Sequence, residues 1–161
     1  MKELQLVKCT TPQDFDIAKS ITTDYIIWLN MDLSFQNIQK EYAEFEPMYS
    51  PPNGSYIYLK KDDKIVGGVA FRNLEISICE MKRLFVYPEF HRLGFGKTLS
   101  EAIIQLAKEN GYKKMRLDTV EKLTAAIKIY QQLGFYEIEA YRENPDTTAI
   151  FMEIDLENIS F

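Results

Sequence analysis

Gly94 and Gly96 stand at alternate positions in the stretch Arg83-Leu84-Phe85-Val86-Tyr87-Pro88-Glu89-Phe90-His91-Arg92-Leu93-Gly94-Phe95-Gly96-Lys97, where an apolar strand pattern passes through a proline and a short turn into a helix. Glycine lets the backbone approach a ligand closely and adopt conformations closed to other residues. The unpaired N–H groups of a helix start, together with the helix dipole, form an anion site. Arg92 and Lys97 add positive charge beside it. These residues predict a cradle for a phosphate or pyrophosphate, with a plain tight turn as the alternative use of two glycines. The full P-loop pattern, which needs a glycine where His91 stands, and the three-glycine dinucleotide fingerprint are both missing from this stretch.

Other reactive side chains carry less. Cys9, Cys79 and the lone His91 cannot supply a metal site of the usual ligand count. Cys79 has no second histidine to activate it as a nucleophile. The place of His91 inside the phosphate loop argues against its acting as a base.

The elements that must position the cradle follow from periodicity. Leu4–Lys8 alternates as a first strand, and Thr11, Pro12 and Asp14 form a helix start whose stripe Ile17, Ile21, Tyr25 and Trp28 runs to about Leu29. A second helix is expected from near Ser34, carrying Phe35, Ile38, Tyr42 and Phe45 up to the Pro47–Gly54 loop. Ser55–Leu59 and Lys64–Phe71 read as a hairpin, and Ile76–Val86 as a longer strand. The helix opened by Gly94 buries Leu99, Ala102, Ile103, Leu106 and Ala107 and ends at Asn110-Gly111. Met115–Thr119 follows as a strand, then a helix with Leu123, Ala126, Ile127 and Tyr130 capped by Gly134, then strands at Phe135–Tyr141 and Thr148–Leu156. The order predicts a single mixed α/β domain over residues 1–161, a twisted sheet of about six to seven strands flanked by about four helices.

Composition bounds the partners. The 161 residues are 46% hydrophobic and 27% charged, as in a globular domain. A net charge of −5 argues against nucleic acid as partner. The Met1-Lys2-Glu3-Leu4 start lacks a signal-peptide apolar run, and no segment is long and apolar enough for a membrane span. The expectation is a cytoplasmic protein with no membrane partner and its two thiols reduced. A homodimer is left open.

His91-x-x-Gly94-x-Gly96 after a strand resembles motif A of the GNAT acetyltransferase superfamily, whose first position is usually Gln or Arg. Ala126-Ile127-Lys128-Ile129-Tyr130-Gln131-Gln132-Leu133-Gly134-Phe135 resembles its motif B helix with the Tyr-x-x-Leu-Gly-Phe ending. The resemblance extends to a bacterial GNAT subgroup of largely unassigned substrate through Asp32-Leu33-Ser34-Phe35-Gln36, Cys79–Leu84, Leu117-Asp118-Thr119, Asn144-Pro145 and Phe151-Met152. It implies a GNAT-like fold and acetyl-CoA as cosubstrate, without a metal, lying where two neighbouring strands splay apart. Leu84, Phe85 and Val86 would border the pantetheine arm, Leu84 and Val86 through backbone hydrogen bonds. His91, Arg92, Leu93, Gly94, Phe95, Gly96, Lys97 and Thr98 would wrap the pyrophosphate.

Acetyl transfer to an amine needs a neutral nucleophile, stabilisation of an oxyanion and a proton for the departing thiolate. Glu80 is the candidate base. A regular strand puts it on one face with Ile76, Ile78, Leu84 and Val86, and such an apolar row should raise its pKa. Its place sixteen residues before Gly96 also matches a catalytic glutamate of some GNAT histone acetyltransferases. The alternatives are that Glu80 pairs with Lys82 or Arg83, or that the strand ends early. Tyr130, at the position of the motif B tyrosine, is the candidate general acid, with core packing as the competing role. A backbone N–H near Leu84–Val86 is the expected oxyanion donor. The helix pair before the sheet would wall the acceptor pocket, with Trp28, Asp32, Phe35 and Arg142 as substrate contacts.

The leading function is acetylation of a primary amine on a small molecule, by direct attack within a ternary complex. Acetylation of a protein or peptide, and a non-catalytic acyl-CoA-binding module, stand as alternatives. The acidic surface favours a cationic acceptor by steering.

Overall fold

A computed structural model describes residues 3–30, 37–159 and 161. The seven strands form one sheet in the order β1-β2-β3-β4-β5-β7-β6. They span β1 Leu4–Lys8, β2 Gly54–Lys61, β3 Lys64–Glu75, β4 Ile78–Val86, β5 Lys114–Val120, β6 Tyr136–Ile138 and β7 Ala149–Asp155. Every neighbouring pair is antiparallel except β4 with β5, which are parallel. The helices are α1 Pro12–Leu29, α2 Ile38–Ala43, α3 Phe45–Met48, α4 Phe95–Glu109 and α5 Thr124–Leu133. Among the described residues no helix is long and apolar enough to cross a membrane.

Local signals set most boundaries. Asp14 N–H donates to Thr11 Oγ1 at 3.1 Å and Thr11 N–H donates back to the Asp14 carboxylate at 3.2 Å, the reciprocal cap expected for α1. Asn30 ends α1 in the left-handed region, and Gly134 does the same for α5 with φ 106°. The single second helix expected from Ser34 differs: residues 31–36 lie outside those described, and the rest divides at Glu44 into α2 and α3. Pro47 gives the reason. Inside a continuous helix it would remove a bond to the carbonyl of Ala43, whereas in the first turn of a fresh helix its missing N–H costs nothing.

Alternation in β2 divides the core. Ile57 and Leu59 join Val69, Phe71, Met81 and Met115 under α4, whose Leu99 and Ile103 are fully buried. Tyr56 and Tyr58 turn to the other face and pack with Ala70 and Phe85 against Phe15, Ala18 and Ile21 of α1 and Phe45 of α3. Each fully buried aliphatic side chain contributes about 1.5–3 kcal/mol, so α4 and α1 are held chiefly by these stripes.

The α1 face changes character towards β7. Register places Arg72, Glu80, Arg116 and Glu153 opposite one another on β3, β4, β5 and β7, a row of alternating charge across the sheet. Arg72 meets Glu80 at 3.2 Å and Arg116 meets Glu153 at 2.8 Å. The expected strand Phe135–Tyr141 stops at Ile138, and the chain beyond it carries Tyr141 and Arg142 onto this charged row.

Candidate functional site

Pairing between β4 and β5 runs from Ile78 to Glu80 and goes no further. Beyond that point the two strands separate, and a cavity of about 670 Å³ fills the gap, reaching from the C-terminal turn of α1 to the start of α4 and the face of α5. A bulge in β4 accompanies the separation. Three steps along β4 from Lys82 to Phe85 match two along β3 from Ala70 to Gly68, and Arg83 takes φ 62°. The bulge is pinned by a buried ion pair, Arg83 Nη2 lying 2.6 Å from Glu41 Oε1, with Tyr49 OH also donating to Glu41.

The extra residue reverses which side of the strand faces which core. Phe85 therefore falls on the α1 side with Tyr56 and Ala70, while Leu84 and Val86 pack towards α4 and α5. This corrects the expectation that Glu80 shares an apolar row with Leu84 and Val86. Tyr87 N–H donates to Val66 O, so ladder periodicity turns the amides of Leu84 and Val86 towards the open edge facing β5.

At the other end, α4 begins without a side-chain cap, and its first intrahelical bond is from Thr98 N–H to Gly94 O. The amides of Phe95, Gly96 and Lys97 are therefore without intrahelical partners. Gly94 sits at φ 85°, and a Cβ built there meets nothing within 4 Å. A Cβ on Gly96 would lie 2.9 Å from Ile129 Cδ1, so this glycine sets the approach of α4 to α5. A glycine-lined helix start with free amides, beside Arg92, Lys97 and Lys128, fits a pyrophosphate. Replacing Gly94 with valine puts a β-branched residue into the left-handed region and a side chain into the cradle. Calorimetry should show acetyl-CoA binding weakened by about tenfold or more, on the scale of 1.4 kcal/mol per decade; unchanged affinity would remove the cradle assignment.

The expected site residues distribute as follows. Trp28, Leu84, Phe85, Val86, His91, Arg92, Gly94, Phe95, Gly96, Lys97, Tyr130 and Arg142 all line the cavity. Leu93 and Thr98 do not. Leu93 is 58% exposed, and Thr98 commits both its N–H and its hydroxyl to Gly94 O. His91 folds back so that Nε2 lies 2.7 Å from Val86 O, its ring edge-on to Trp28. Asp32 and Phe35 lie outside the described residues. Among the described residues, no group of three or more His, Cys, Asp or Glu is placed to hold a metal.

Tyr130 projects from α5 into the cavity, its ring packed on Phe135 at 5.6 Å. Burial, reinforced by Tyr25 and Asp118, pushes its pKa well above the ordinary phenol value, so it stays protonated across the neutral range. Its hydroxyl makes no hydrogen bond among the described residues.

Glu80 requires the larger correction. It is fully buried and does not line the cavity. Arg72 Nε and Lys82 Nζ lie 3.2 and 3.7 Å from Oε1, while Tyr141 OH donates to Oε2 at 2.7 Å and Arg142 Nη2 lies 3.3 Å from it. Burial alone would raise its pKa; Lys82, Arg142, the Tyr141 hydrogen bond and Arg72 outweigh it and hold the carboxyl below the usual glutamate value. The predicted upward shift is thus reversed, because the register brings cations rather than aliphatic side chains around the carboxylate. Pairing with Lys82 occurs; Arg83 turns to Glu41 instead.

Sequence reasoning passed over three residues here. Lys82 lines the cavity with its side chain only 5% exposed, and burial together with Arg83 pulls its pKa down to about 7 against the opposing pull of Glu80. Asp118 binds Arg142 Nη2 and accepts from Asn144 Nδ2 at 3.1 Å. Tyr141 joins Glu80 from outside the sheet. The one available signal was two adjacent basic residues, Lys82-Arg83, inside an apolar strand.

Residues 22–135 match the model of the acetyltransferase (GNAT) family. The chain belongs to this family. An uncharacterised N-acetyltransferase of Schizosaccharomyces pombe is 35% identical over 147 residues, covering 90% of each chain. A GNAT-family acetyltransferase from Staphylococcus aureus has the same fold, with a TM-score of 0.77, 19% identity and coverage of 96% of this chain and 99% of that one. The PaiA N-acetyltransferase of Thermoplasma acidophilum, solved in complex with coenzyme A, matches with a TM-score of 0.71 at 17% identity over 95% of this chain and 99% of that one. GNAT enzymes use an acyl-CoA donor, and the chain is a GNAT-type N-acetyltransferase. The fork between β4 and β5, the bulge at Arg83 and the uncapped start of α4 are the parts of this GNAT chain that fit such a donor.

Proposed function

We propose that the protein transfers an acetyl group from acetyl-CoA directly to a primary amine of a small molecule, with both substrates bound together. The observation that carries this reading is the single cavity joining the free amides of α4 to Tyr130 and then to a wall built from Tyr25 and Trp28 of α1. Acetyl-CoA supplies an activated acyl group whose transfer releases a thiol.

The chain's own groups divide the remaining work. Phe95, Gly96 and Lys97 hold the phosphates through their amides, and Arg92 adds charge. Leu84 and Val86 present N–H groups at the open strand edge, where one can hold the oxygen that gains negative charge. As the C–N bond forms and the C–S bond breaks, the Tyr130 hydroxyl gives its proton to the departing sulfur, and the proton shed by the amine nitrogen passes to water or back to the tyrosine oxygen. Glu80, with both oxygens engaged and its pKa lowered, holds Lys82 and Arg142 beside the acceptor rather than taking a proton itself.

Compactness favours a small acceptor. Lys122 Nζ donates to Leu29 O at 2.7 Å, tying the loop before α5 to the end of α1 at the cavity wall. Thiol release from acetyl-CoA across a broad panel of metabolite amines, run beside intact proteins, tests the reading. Turnover of members of the amine panel is expected; acetylation of proteins with no turnover of any small amine would overturn it.

A further inference from the structure

Resting on the small-amine reading, the charges at the acceptor end restrict which amines the enzyme takes. Lys82 is buried, borders the cavity, and carries three N–H donors. Its closest carboxylate, Glu80, is 3.7 Å away, and among the described residues no acceptor lies within hydrogen-bond distance of its ammonium. Arg142 shows the same shortfall. Its Nη2 serves Asp118 and Glu80, while Nε is buried without a partner among the described residues. A buried donor left unfilled costs stability, so Arg142 Nε at a cavity wall, beside an ammonium that no described acceptor reaches, calls for an acceptor atom from a ligand.

The charge balance gives its sign. With Lys82 protonated, Arg72, Lys82 and Arg142 surround two carboxylates among the described residues, Glu80 and Asp118, leaving one positive charge in excess, and an anion bound there favours the protonated form of Lys82. That excess is local, in a chain whose net charge is −5. A planar anion of single charge satisfies it and supplies two acceptor oxygens. Lys82 is also two residues before Leu84, whose amide faces the open edge, so an anion held at Lys82 lies beside the place where the acyl group is transferred.

We infer that the acceptor is an amino acid or a closely related amine bearing a carboxylate near its amino group, with Lys82 and Arg142 binding that carboxylate. Lys82 is then a specificity-determining residue. The steering of cations by the acidic surface acts on the approach to the protein and not on selection within the cavity.

Matched pairs test this: tyrosine against tyramine, histidine against histamine and lysine against cadaverine, each assayed by thiol release from acetyl-CoA. For at least one pair kcat/KM should favour the amino acid by about tenfold or more, the scale of a charge-assisted contact. In Lys82→Met that ratio should collapse towards one while the dissociation constant for acetyl-CoA holds. Equal or greater turnover of the decarboxylated partner in every pair overturns the carboxylate site and leaves the amine reading standing. A ratio that persists in Lys82→Met overturns the assignment to Lys82. If neither class is turned over, and calorimetry on the CoA-loaded wild-type enzyme detects binding of neither, both readings fall together.

Discussion

Tyr130→Phe should lower kcat by roughly 10²–10⁴-fold, the usual contribution of a positioned general acid. The substitution removes one oxygen and keeps the ring, so the packing on Phe135 at 5.6 Å survives and the melting temperature should move little. The KM for acetyl-CoA should stay within a few-fold of wild type, because the phosphates and the open strand edge are untouched. Two facts make the effect large. The hydroxyl lies in the cavity with no protein partner among the described residues, and its raised pKa keeps it protonated across the neutral range. Steady-state kinetics with any accepted amine decides the matter. If kcat of Tyr130→Phe stays within a few-fold of wild type, Tyr130 is a packing residue of α5.

Glu80→Gln should cost about 3–5 kcal/mol of stability, the scale seen when one partner of a buried ion pair is removed. Glutamine keeps the shape and can still accept from Tyr141, so the loss reports the charge. Lys82 and Arg142 would then share a buried region without the carboxylate that joins them. The pH dependence has a defined sign. The folded-state pKa of Glu80 lies below its ordinary value of 4.5, so its contribution is complete above about pH 4.5 and is lost as pH falls through the folded value. Urea unfolding should give a wild-type advantage over Glu80→Gln that is present above about pH 4.5 and narrows below it. Equal stability at neutral pH, together with loss of the acid limb of the kcat profile in Glu80→Gln, would restore the carboxylate to the role of catalytic base.

The contrast between these two residues follows the range over which each is specified. Tyr130 was legible in the sequence because its setting is local. It stands four residues before the capping Gly134 on a helix stripe, and the motif around it fixes both the element and the facing side. The cradle was legible for the same reason: Gly94, the uncapped helix start and the flanking cations lie within a few residues. The reciprocal cap at Thr11 and Asp14 and the alternation dividing Tyr56 from Ile57 belong to this class, since each depends only on near neighbours and a fixed period.

The environment of Glu80 was decided by tertiary structure. Its facing side depends on an extra residue at Arg83, and that bulge is held by Glu41, which is 42 residues away in sequence. One inserted residue reverses the parity of a strand, so the apolar row read from alternation dissolves at Arg83. The row Arg72–Glu80–Arg116–Glu153 exists only because four strands align in register, and Tyr141 and Arg142 reach it from a segment that leaves the sheet after Ile138. By itself the sequence determined the α/β elements, the phosphate cradle and the place of the tyrosine, because short-range sterics and periodicity encode them. Only the tertiary structure decided that Glu80 is a charged anchor and that Lys82 and Arg142 border the cavity, because charge pairing across strands depends on register and is absent from any single segment.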